Sequence, residues 1–204
     1  KKHTPRGAAA VVLDPSTGDV LAMVSLPDFD PRTRSELVGT SEPLRNWVVT
    51  RYEPGSTFKA VTAAIGLNDG VIDQGFKATC GGTLRVGNRT IHCALHGGVE
   101  RHGHGTQDLT GIIGRSCNVA AATVGMKLGM ERLDRGLATF GLLGKTGVGL
   151  DEEMGGLLGF SEEDVNGGVG KAARVGFGQS DMVTPLGLAS AFGAIATGGP
   201  LVLP

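Results

Sequence analysis

Residues 52–59 read Tyr-Glu-Pro-Gly-Ser-Thr-Phe-Lys, and a helical pattern follows them to about Asn68. The Pro54-Gly55 pair breaks the chain just before Ser56, and the Asp69-Gly70 pair ends the pattern. The apolar residues recur at helical spacing and predict a buried stripe: Phe58, Val61, Ala64, Ile65 and Leu67. The sequence therefore predicts a helix that begins with a serine at a sharp turn.

Ser56 and Lys59 are three residues apart, so their side chains share one face of this helix. A serine hydroxyl is a weak nucleophile that needs a base, and a lysine serves as one when its pKa is lowered. The positive end of the helix favours negative charge on the serine oxygen. A capping serine beside a solvated lysine is the simpler explanation of the spacing, so the pair alone does not establish a catalytic role.

A second polar motif, Ser116-Cys117-Asn118, lies about 60 residues further on, before another predicted helix. The Ser116 hydroxyl is suited to relay a proton, and the Asn118 amide is suited to hold Lys59 and a substrate carbonyl. Serine and asparagine are also common helix caps, so a purely structural role is the alternative. The ordered pair of motifs is more specific than either motif alone.

The remaining pattern is strands first and helices afterwards, which favours an α+β fold. Residues 7–27 predict a β-hairpin around Asp14-Pro15, and its consecutive apolar residues predict a sheet covered on both faces. Thr184 and Pro185 predict the start of a last helix, which Gly198-Gly199 ends. Between these, helices are expected over residues 106–114, 119–128 and 131–140.

These motifs and their surroundings resemble the transpeptidase domain of the class B penicillin-binding proteins. Residues 52–59 are similar to that family's active-site motif. Further segments agree in the family's order: residues 9–23, 104–119 and 176–186. The resemblance covers nearly the whole chain. Glu53 is more typical of the division and sporulation branch than of the elongation branch.

The resemblance implies an α+β penicillin-binding-protein or serine β-lactamase-like fold, with residues 1–204 as a partial transpeptidase domain. It implies D,D-transpeptidase activity without a cofactor or metal. Ser56 would be the nucleophile and Lys59 its base, while Ser116 and Asn118 would act in catalysis and substrate binding. β-Lactam antibiotics would acylate Ser56 and leave slowly.

The resemblance also implies partners and a location. The partners are peptidoglycan stem peptides, β-lactams, a membrane glycosyltransferase, and division or cell-wall proteins. The domain is expected on the outer face of the cytoplasmic membrane, held by an anchor that this chain does not contain. A net charge of −1 gives no argument for nucleic acid, and no run of about 18 apolar residues is present.

The family's third motif, Lys-Thr/Ser-Gly, is matched only by Lys145-Thr146-Gly147. We interpret this match as an unrelated turn after a helix, because it follows the second motif too soon. The alternative is an unusually compact variant. The chain is thus expected to hold two of three motifs, which predicts that the isolated chain is catalytically weak or inert, since one lost oxyanion-hole donor costs about 10²–10³ in rate.

Cys80 and Cys93 flank a predicted hairpin and are a candidate disulfide, because the family works outside the cytoplasm. A four-residue loop would pair them, whereas a two-residue turn at Gly87-Asn88 would offset them by two. The alternative is a zinc site, although the spacing matches no closed pattern that we identify; its potential ligands are Cys80, His92, Cys93, His96, His102 and His104. Cys117 is expected as an unpaired thiol at the rim of the site, with a nucleophilic role as the alternative.

Two other functions compete with the transpeptidase. A serine β-lactamase is related in fold, but Asn118 does not suit one branch of those enzymes and Cys117 does not suit the other. A non-catalytic β-lactam sensor or scaffold domain is the second. The stability of an acyl-enzyme separates the first from a transpeptidase, and failure of Ser56 to be acylated indicates the second.

Overall fold

The computed structural model describes residues 7–30, 32, 45–93, 103–159 and 168–204. These residues form two compact units. One draws on Lys1–Tyr52, Thr139–Gly156 and Val183–Pro204, and the other on Glu53–Ala138 and Leu157–Met182. Helices and antiparallel strands occur together, which confirms the α+β class. Among the described residues, no helix is both long and apolar enough to span a membrane.

The first unit contains the predicted hairpin, formed by β1 (Ala8–Leu13) and β2 (Val20–Leu26). The strands pair antiparallel, with Val11 opposite Met23, and the register shifts after Val12. One face of the hairpin packs on a small buried cluster: Val11, Leu13, Val20, Met23, Val48, Val49 and Leu186. The hairpin is therefore anchored through alternate side chains, as expected for a sheet with one buried face.

The opposite face of the hairpin is exposed, so the prediction of two covered faces is wrong for the described residues. Val12 is 51% exposed, Val24 49% and Leu26 49%, and all three lie on the face away from the buried cluster. Leu21, next to the register shift, is 65% exposed. A consecutive apolar run predicts burial on both sides only when a second layer is present.

The last helix, α5 (Pro185–Thr197), packs against β1 and confirms the predicted capping. The Thr184 side chain accepts a hydrogen bond from the N–H of Gly187, and Gly198 ends the helix in the left-handed conformation. Phe192, the largest apolar side chain of this helix, is 37% exposed. The small residues Ser190, Ala191 and Ala194 are buried in its place.

Lys145-Thr146-Gly147 lies outside the strands, in the turn that follows the helix ending at Thr139. The backbone N–H and the hydroxyl of Thr146 both donate to Glu153 Oε1 at 2.6 Å, and the N–H of Gly147 donates to Glu153 Oε2. The buried Thr146 and Glu153 thus hold a turn together. These contacts agree with a structural role for this segment.

The second unit carries the helices around Ser56. A 3-10 turn over Gly55–Thr57 leads into α1 (Phe58–Asn68), as predicted. Phe58, Val61 and Ile65 are buried, but Leu67 is 40% exposed. The remaining helices of this unit are α2 (Leu109–Gly114), α3 (Asn118–Thr139) and α4 (Val169–Val175).

Two predicted elements are changed in the structure. The helix expected over 106–114 begins as a strand, β6 (Gly105–Asp108), before α2 starts at an Asp108 cap. The helices expected over 119–128 and 131–140 belong to α3, which is broken at Gly129 by φ 70° and ψ 168°. Glycine adopts this positive φ without the steric cost that other residues meet.

Short strands complete the second unit. β3 (Lys77–Cys80) pairs with β6, β4 (Thr83–Val86) pairs with β5 (Arg89–His92), and β7 (Leu157–Leu158) pairs with β8 (Asp181–Met182). Val86 faces Arg89 across β4 and β5, so Gly87 and Asn88 form a two-residue turn. Of the two registers considered from the sequence, the structure has the one that offsets Cys80 from Cys93.

Candidate active site

Ser56 is presented at the tip of a turn that a second segment holds in place. The N–H of Gly55 donates to the carbonyl of Gly178 at 3.0 Å, and Ser56 itself is exposed. Gly55 and Gly178 have φ of 58° and 83°, and a Cβ on Gly178 would collide with the carbonyl oxygen of Gly55. Two glycines in close contact therefore set the position of Ser56.

Lys59 lies one helical turn below Ser56 and is only 2% exposed. Its Nζ atom is 3.0 Å from Ser56 Oγ and 2.8 Å from Ser116 Oγ. It also contacts the backbone carbonyl of Ser116 at 2.6 Å and Asn118 Oδ1 at 2.7 Å. The structure thus brings together all four residues that the sequence selected for catalysis.

The four oxygens around Lys59 Nζ differ in whether they can donate a hydrogen bond, and this difference decides where the lone pair of a neutral Lys59 amine points. The Ser116 carbonyl and Asn118 Oδ1 only accept hydrogen bonds, so they take two N–H groups of Lys59. A neutral amine has two N–H groups and one lone pair, which is then left for the hydroxyl of Ser56 or Ser116. Burial lowers the pKa of Lys59, although the nearby sulfurs of Cys93 and Cys117 act in the opposite direction. The arrangement suits a lysine that accepts a proton from serine.

The second motif is held by backbone geometry on both sides. Ser116 has a positive φ of 54°, which is uncommon for a residue other than glycine, and Asn118 begins α3. The Asn118 Nδ2 group donates to the carbonyl of His92 at 3.1 Å, which turns its Oδ1 atom toward Lys59. Strain of this kind is frequent at functional sites.

A cavity of about 290 Å³ opens beside Asn118. Its wall mixes basic, amide and aromatic side chains, including Arg89, His92, Asn118, Arg174, Phe177 and Gln179. A concave surface with convergent polar groups, one of which contacts Lys59, is typical of a substrate-binding site. None of the sequence motifs predicted the contribution of Arg89 or Arg174.

A buried carboxyl group, Asp181, follows Ser180 in the segment that contacts Glu53, and no sequence motif predicted it. Asp181 is 1% exposed, and its carboxylate oxygens have no hydrogen-bond partner among the described residues. Burial and the nearby charge of Glu53 raise the pKa of Asp181 to about 8. Glu53 itself accepts a hydrogen bond from the N–H of Ser180, so it links this segment to the residues before Ser56.

Replacing Asp181 by asparagine is expected to flatten the pH dependence of stability. The folded pKa of about 8 lies above the usual 3.8, so the folded state keeps a proton that the unfolded chain loses. Stability of the wild type therefore falls as pH rises from about 4 to 8, by up to about 1.4 kcal/mol per pH unit. Urea unfolding at pH 5 and pH 8 measures this loss.

The exposed Asp134 on α3 provides the matched control for that measurement. Asp134→Asn should keep the wild-type dependence on pH, whereas Asp181→Asn should lose most of it. Equal slopes in wild type and Asp181→Asn would show that Asp181 is ionised in the folded protein across this range.

The cysteines differ from the sequence-based expectations. All three are buried free thiols, so the structure contains no Cys80–Cys93 disulfide. The two-residue turn between β4 and β5 offsets the two residues, as the alternative register implied. Cys117 is not at the rim of the site but fully buried, and burial raises the pKa of its thiol to about 12, which disfavours a nucleophilic role.

The four histidines that were considered as metal ligands divide into three groups. His104 lies with the three cysteines, its Nδ1 atom 3.3 Å from the sulfur of Cys93. The side chain of His92 is exposed and outside this cluster. His96 and His102, the other candidate ligands, lie outside the described residues.

An exposed serine joined to a buried lysine, with a second serine and an asparagine on the same amine, is an arrangement suited to acyl transfer through a serine. The family described as "Penicillin binding protein transpeptidase domain" matches residues 8–204. The chain therefore belongs to the penicillin-binding protein transpeptidase family, which confirms the resemblance stated from the sequence.

Curated relatives support this assignment over the full chain. Stage V sporulation protein D of Bacillus subtilis is 36% identical over 208 residues, covering 100% of this chain and 30% of the relative. A probable peptidoglycan D,D-transpeptidase FtsI of Caulobacter vibrioides is 30% identical, covering 98% and 32%. The chain thus spans about a third of the length of these relatives. Their names are consistent with the division and sporulation branch.

Solved structures share the fold. PBP2 of Pseudomonas aeruginosa, solved in complex with WCK 5153, matches with a TM-score of 0.82 and 30% identity, covering 96% of this chain and 48% of that one. The PBP2 of Helicobacter pylori in complex with MreC matches with a TM-score of 0.81 and 25% identity, covering 96% and 39%. These matches confirm the predicted transpeptidase fold.

Proposed function

We propose that residues 1–204 are part of a D,D-transpeptidase domain that cross-links peptidoglycan stem peptides through an acyl-enzyme on Ser56. The observation that carries this proposal is the contact of one buried amine, Lys59 Nζ, with Ser56 Oγ, Ser116 Oγ and Asn118 Oδ1. The family's relatives named as peptidoglycan D,D-transpeptidases support the same reaction.

The first half of the reaction forms the acyl-enzyme. Ser56 Oγ attacks the carbonyl carbon of the penultimate D-alanine, and its proton passes to the neutral amine of Lys59. The peptide C–N bond then breaks, and the departing D-alanine nitrogen receives a proton from Lys59 through Ser116. Asn118 holds Lys59 and the substrate backbone in place. The N–H of Ser56, at the start of the helix, faces the developing oxyanion.

The second half transfers the acyl group. An amine from a neighbouring stem peptide attacks the ester carbonyl, loses its proton to the same Ser116–Lys59 pair, and displaces Ser56 Oγ, which regains its hydrogen. One peptide bond is broken and one is formed, so no oxidant or metal is required by the balance of the reaction. A β-lactam carbonyl follows the first half only, because its leaving group stays attached.

The cavity beside Asn118 supports binding of an extended anionic peptide. Arg89 and Arg174 line the cavity, and guanidinium groups are suited to carboxylates of a stem peptide. We further propose that the domain acts on the outer face of the cytoplasmic membrane, with a glycosyltransferase and division proteins as partners. One protein of similar structure, the Helicobacter pylori PBP2, was solved in complex with a second protein, MreC.

Intact-mass analysis after incubation with a fluorescent penicillin tests the proposal. We expect a one-to-one adduct that Ser56→Ala abolishes. Ser16→Ala, an exposed serine in the hairpin turn, is the matched control and should leave the adduct unchanged. The assay is run on the 204-residue chain and on a form extended by a segment that carries a Lys-Thr/Ser-Gly strand, because the chain alone is expected to react weakly.

The lifetime and the presence of the adduct separate the rival functions. A long-lived adduct supports a transpeptidase, whereas rapid hydrolysis that regenerates free Ser56 indicates a β-lactamase. Absence of labelling in both forms would indicate a sensor or scaffold domain without acyl transfer. Labelling only of the extended form would support the proposal and the expected weakness of the isolated chain.

A further inference from the structure

Three sulfurs and one imidazole nitrogen meet in the second unit, although they come from four separate elements. Cys80 ends β3, Cys93 follows β5, His104 precedes β6, and Cys117 precedes α3. Their ligand atoms all lie within 4.8 Å of one another. The three cysteines are buried and His104 is half-buried.

We propose that Cys80, Cys93, His104 and Cys117 bind one zinc ion in a closed four-ligand site. Three thiolates and one imidazole are a common ligand set of structural zinc. With Zn–S bonds of about 2.3 Å and Zn–N bonds of about 2.0 Å, a tetrahedron places two sulfurs ~3.8 Å apart and sulfur and nitrogen ~3.5 Å apart. The structure has 3.7 Å between the sulfurs of Cys93 and Cys117, and 3.3 Å between Cys93 and His104 Nδ1.

The backbone is shaped to bring His104 to Cys80. Gly103 has a φ of 73°, and a Cβ there would collide with the carbonyl of Cys80 and the N–H of Gly82. Only glycine permits this approach, because any side chain would separate the two segments. The close contact would be unnecessary if His104 were a solvated loop residue.

Backbone N–H groups also point at the sulfurs. Gly82 donates to Cys80 Sγ at 3.4 Å, and Ala120 donates to Cys117 Sγ at 3.4 Å. Such outer hydrogen bonds stabilise thiolates and orient them toward a metal. In the absence of a cation, four clustered ligand atoms would have only weak thiol hydrogen bonds to hold them together.

The zinc site would position the second catalytic motif, an effect that rests on the proposed function. Cys117 lies between Ser116 and Asn118, and Cys93 follows His92, whose carbonyl holds the Asn118 amide. A metal bound to Cys93 would therefore fix the neighbouring His92 carbonyl, which orients Asn118. A metal bound to Cys117 would fix the backbone of Ser116 and Asn118, whose oxygens contact Lys59. It would also hold Ser116 in its strained conformation.

A disulfide is the competing use of the same sulfurs. A Cys93–Cys117 bond requires about 2.05 Å between sulfurs that are now 3.7 Å apart, and it would leave Cys80 and His104 without a role. Disulfide formation releases two electrons to an oxidant, whereas zinc binding only displaces thiol protons. The same sulfurs cannot form a disulfide and bind zinc at once, so one experiment separates the disulfide from the zinc site.

The test is metal binding by the complete chain under reducing conditions. We expect one Zn²⁺ per chain by elemental analysis after gel filtration, and an upward shift of the thermal unfolding temperature on adding Zn²⁺ to chelator-treated protein. Co²⁺ in place of zinc should give the visible absorption of a tetrahedral ion and a thiolate charge-transfer band. Cys80→Ser should reduce the intensity of the charge-transfer band to that of two thiolates instead of three, and it should weaken Co²⁺ binding at least about 10-fold.

A pair of histidine variants provides the matched control. His104→Ala should weaken metal binding at least about 10-fold, whereas His92→Ala, an exposed histidine next to Cys93, should retain it. Failure of reduced wild-type protein to bind one metal ion, or equal affinity in His104→Ala and His92→Ala, would overturn the proposal. The proposal would also be overturned by evidence of a disulfide in protein purified without an added oxidant. That evidence would be an intact mass lower by two hydrogens together with only one titratable thiol.

These readouts do not depend on acyl transfer. The effect on the second motif is measured separately, as slower labelling of Ser56 by penicillin after zinc removal and its recovery when zinc returns. Zinc binding without labelling of either the 204-residue chain or its extended form would leave the metal site supported and the transpeptidase proposal contradicted.

Discussion

Replacing Lys59 by methionine is expected to slow acylation of Ser56 by a factor of about 10²–10⁴, the usual contribution of a general base. Methionine keeps much of the apolar stem but cannot accept the Ser56 proton. It also leaves the Ser116 carbonyl and Asn118 Oδ1 without their donor, because Lys59 Nζ contacts both. The rate of adduct formation with a fluorescent penicillin measures the effect in whichever form of the protein is labelled.

Lys127→Met is the matched control, since Lys127 is an exposed lysine on α3 of the same unit. It should react like the wild type. Circular dichroism and unfolding midpoints establish that the Lys59 variant is folded. A folded Lys59→Met protein that is acylated at the wild-type rate would exclude Lys59 as the base.

Replacing Gly178 by alanine is expected to destabilise the protein by about 3–5 kcal/mol and to abolish acylation. The added methyl group would collide with the Gly55 carbonyl, and the positive φ of 83° adds steric strain. Relief of the collision requires the Gly55 turn to move, and Ser56 moves with it. Urea unfolding and penicillin labelling measure the two consequences.

Gly70→Ala separates the collision from the general cost of a positive φ. Gly70 has a φ of 66° in the same unit, and nothing lies near the position of an added Cβ. This variant should be destabilised by only about 1–2 kcal/mol and should still react with penicillin. Equal losses in the two variants would show that the contact between Gly178 and Gly55 does not position Ser56.

The four candidate site residues were predictable partly from local patterns and partly from the family resemblance, which brought the two motifs together. Ser56 and Lys59 share a helix face by spacing alone, and Ser116 and Asn118 flank a recognisable helix start. The helix cap at Thr184 was predictable for the same reason, since its partner Gly187 is three residues away. Contacts between residues three or four positions apart in a helix can be predicted from their spacing alone.

Features that depend on distant segments were not predictable in this way. The Cys80, Cys93, His104 and Cys117 ligands are separated by 11 to 13 residues, so no paired-cysteine spacing marked them as a site. Asp181 resembles any other acidic residue until β8 buries its side chain, close enough to the exposed Glu53 to feel its charge. The contact of Gly178 with Gly55 likewise exists only after folding.

The hairpin illustrates a limit of composition. Apolar residues on both faces of β1 and β2 predict two packed layers, but the described residues supply only one. The sequence indicates which faces of the hairpin are apolar, whereas the structure shows which of these faces is packed against other residues. Val12, Val24 and Leu26 are apolar but exposed, because no described residue covers their face.

The shared amine of Lys59 has a consequence for how this site can change over evolutionary time. One nitrogen serves oxygens from Ser56, Ser116 and Asn118, which lie on two chain segments about sixty residues apart. A substitution in one segment alters the hydrogen bonds left for the other, so its effect depends on the residues already present there. Because of this coupling, we expect a substitution at one of the four positions to be tolerated only together with a compensating substitution at another.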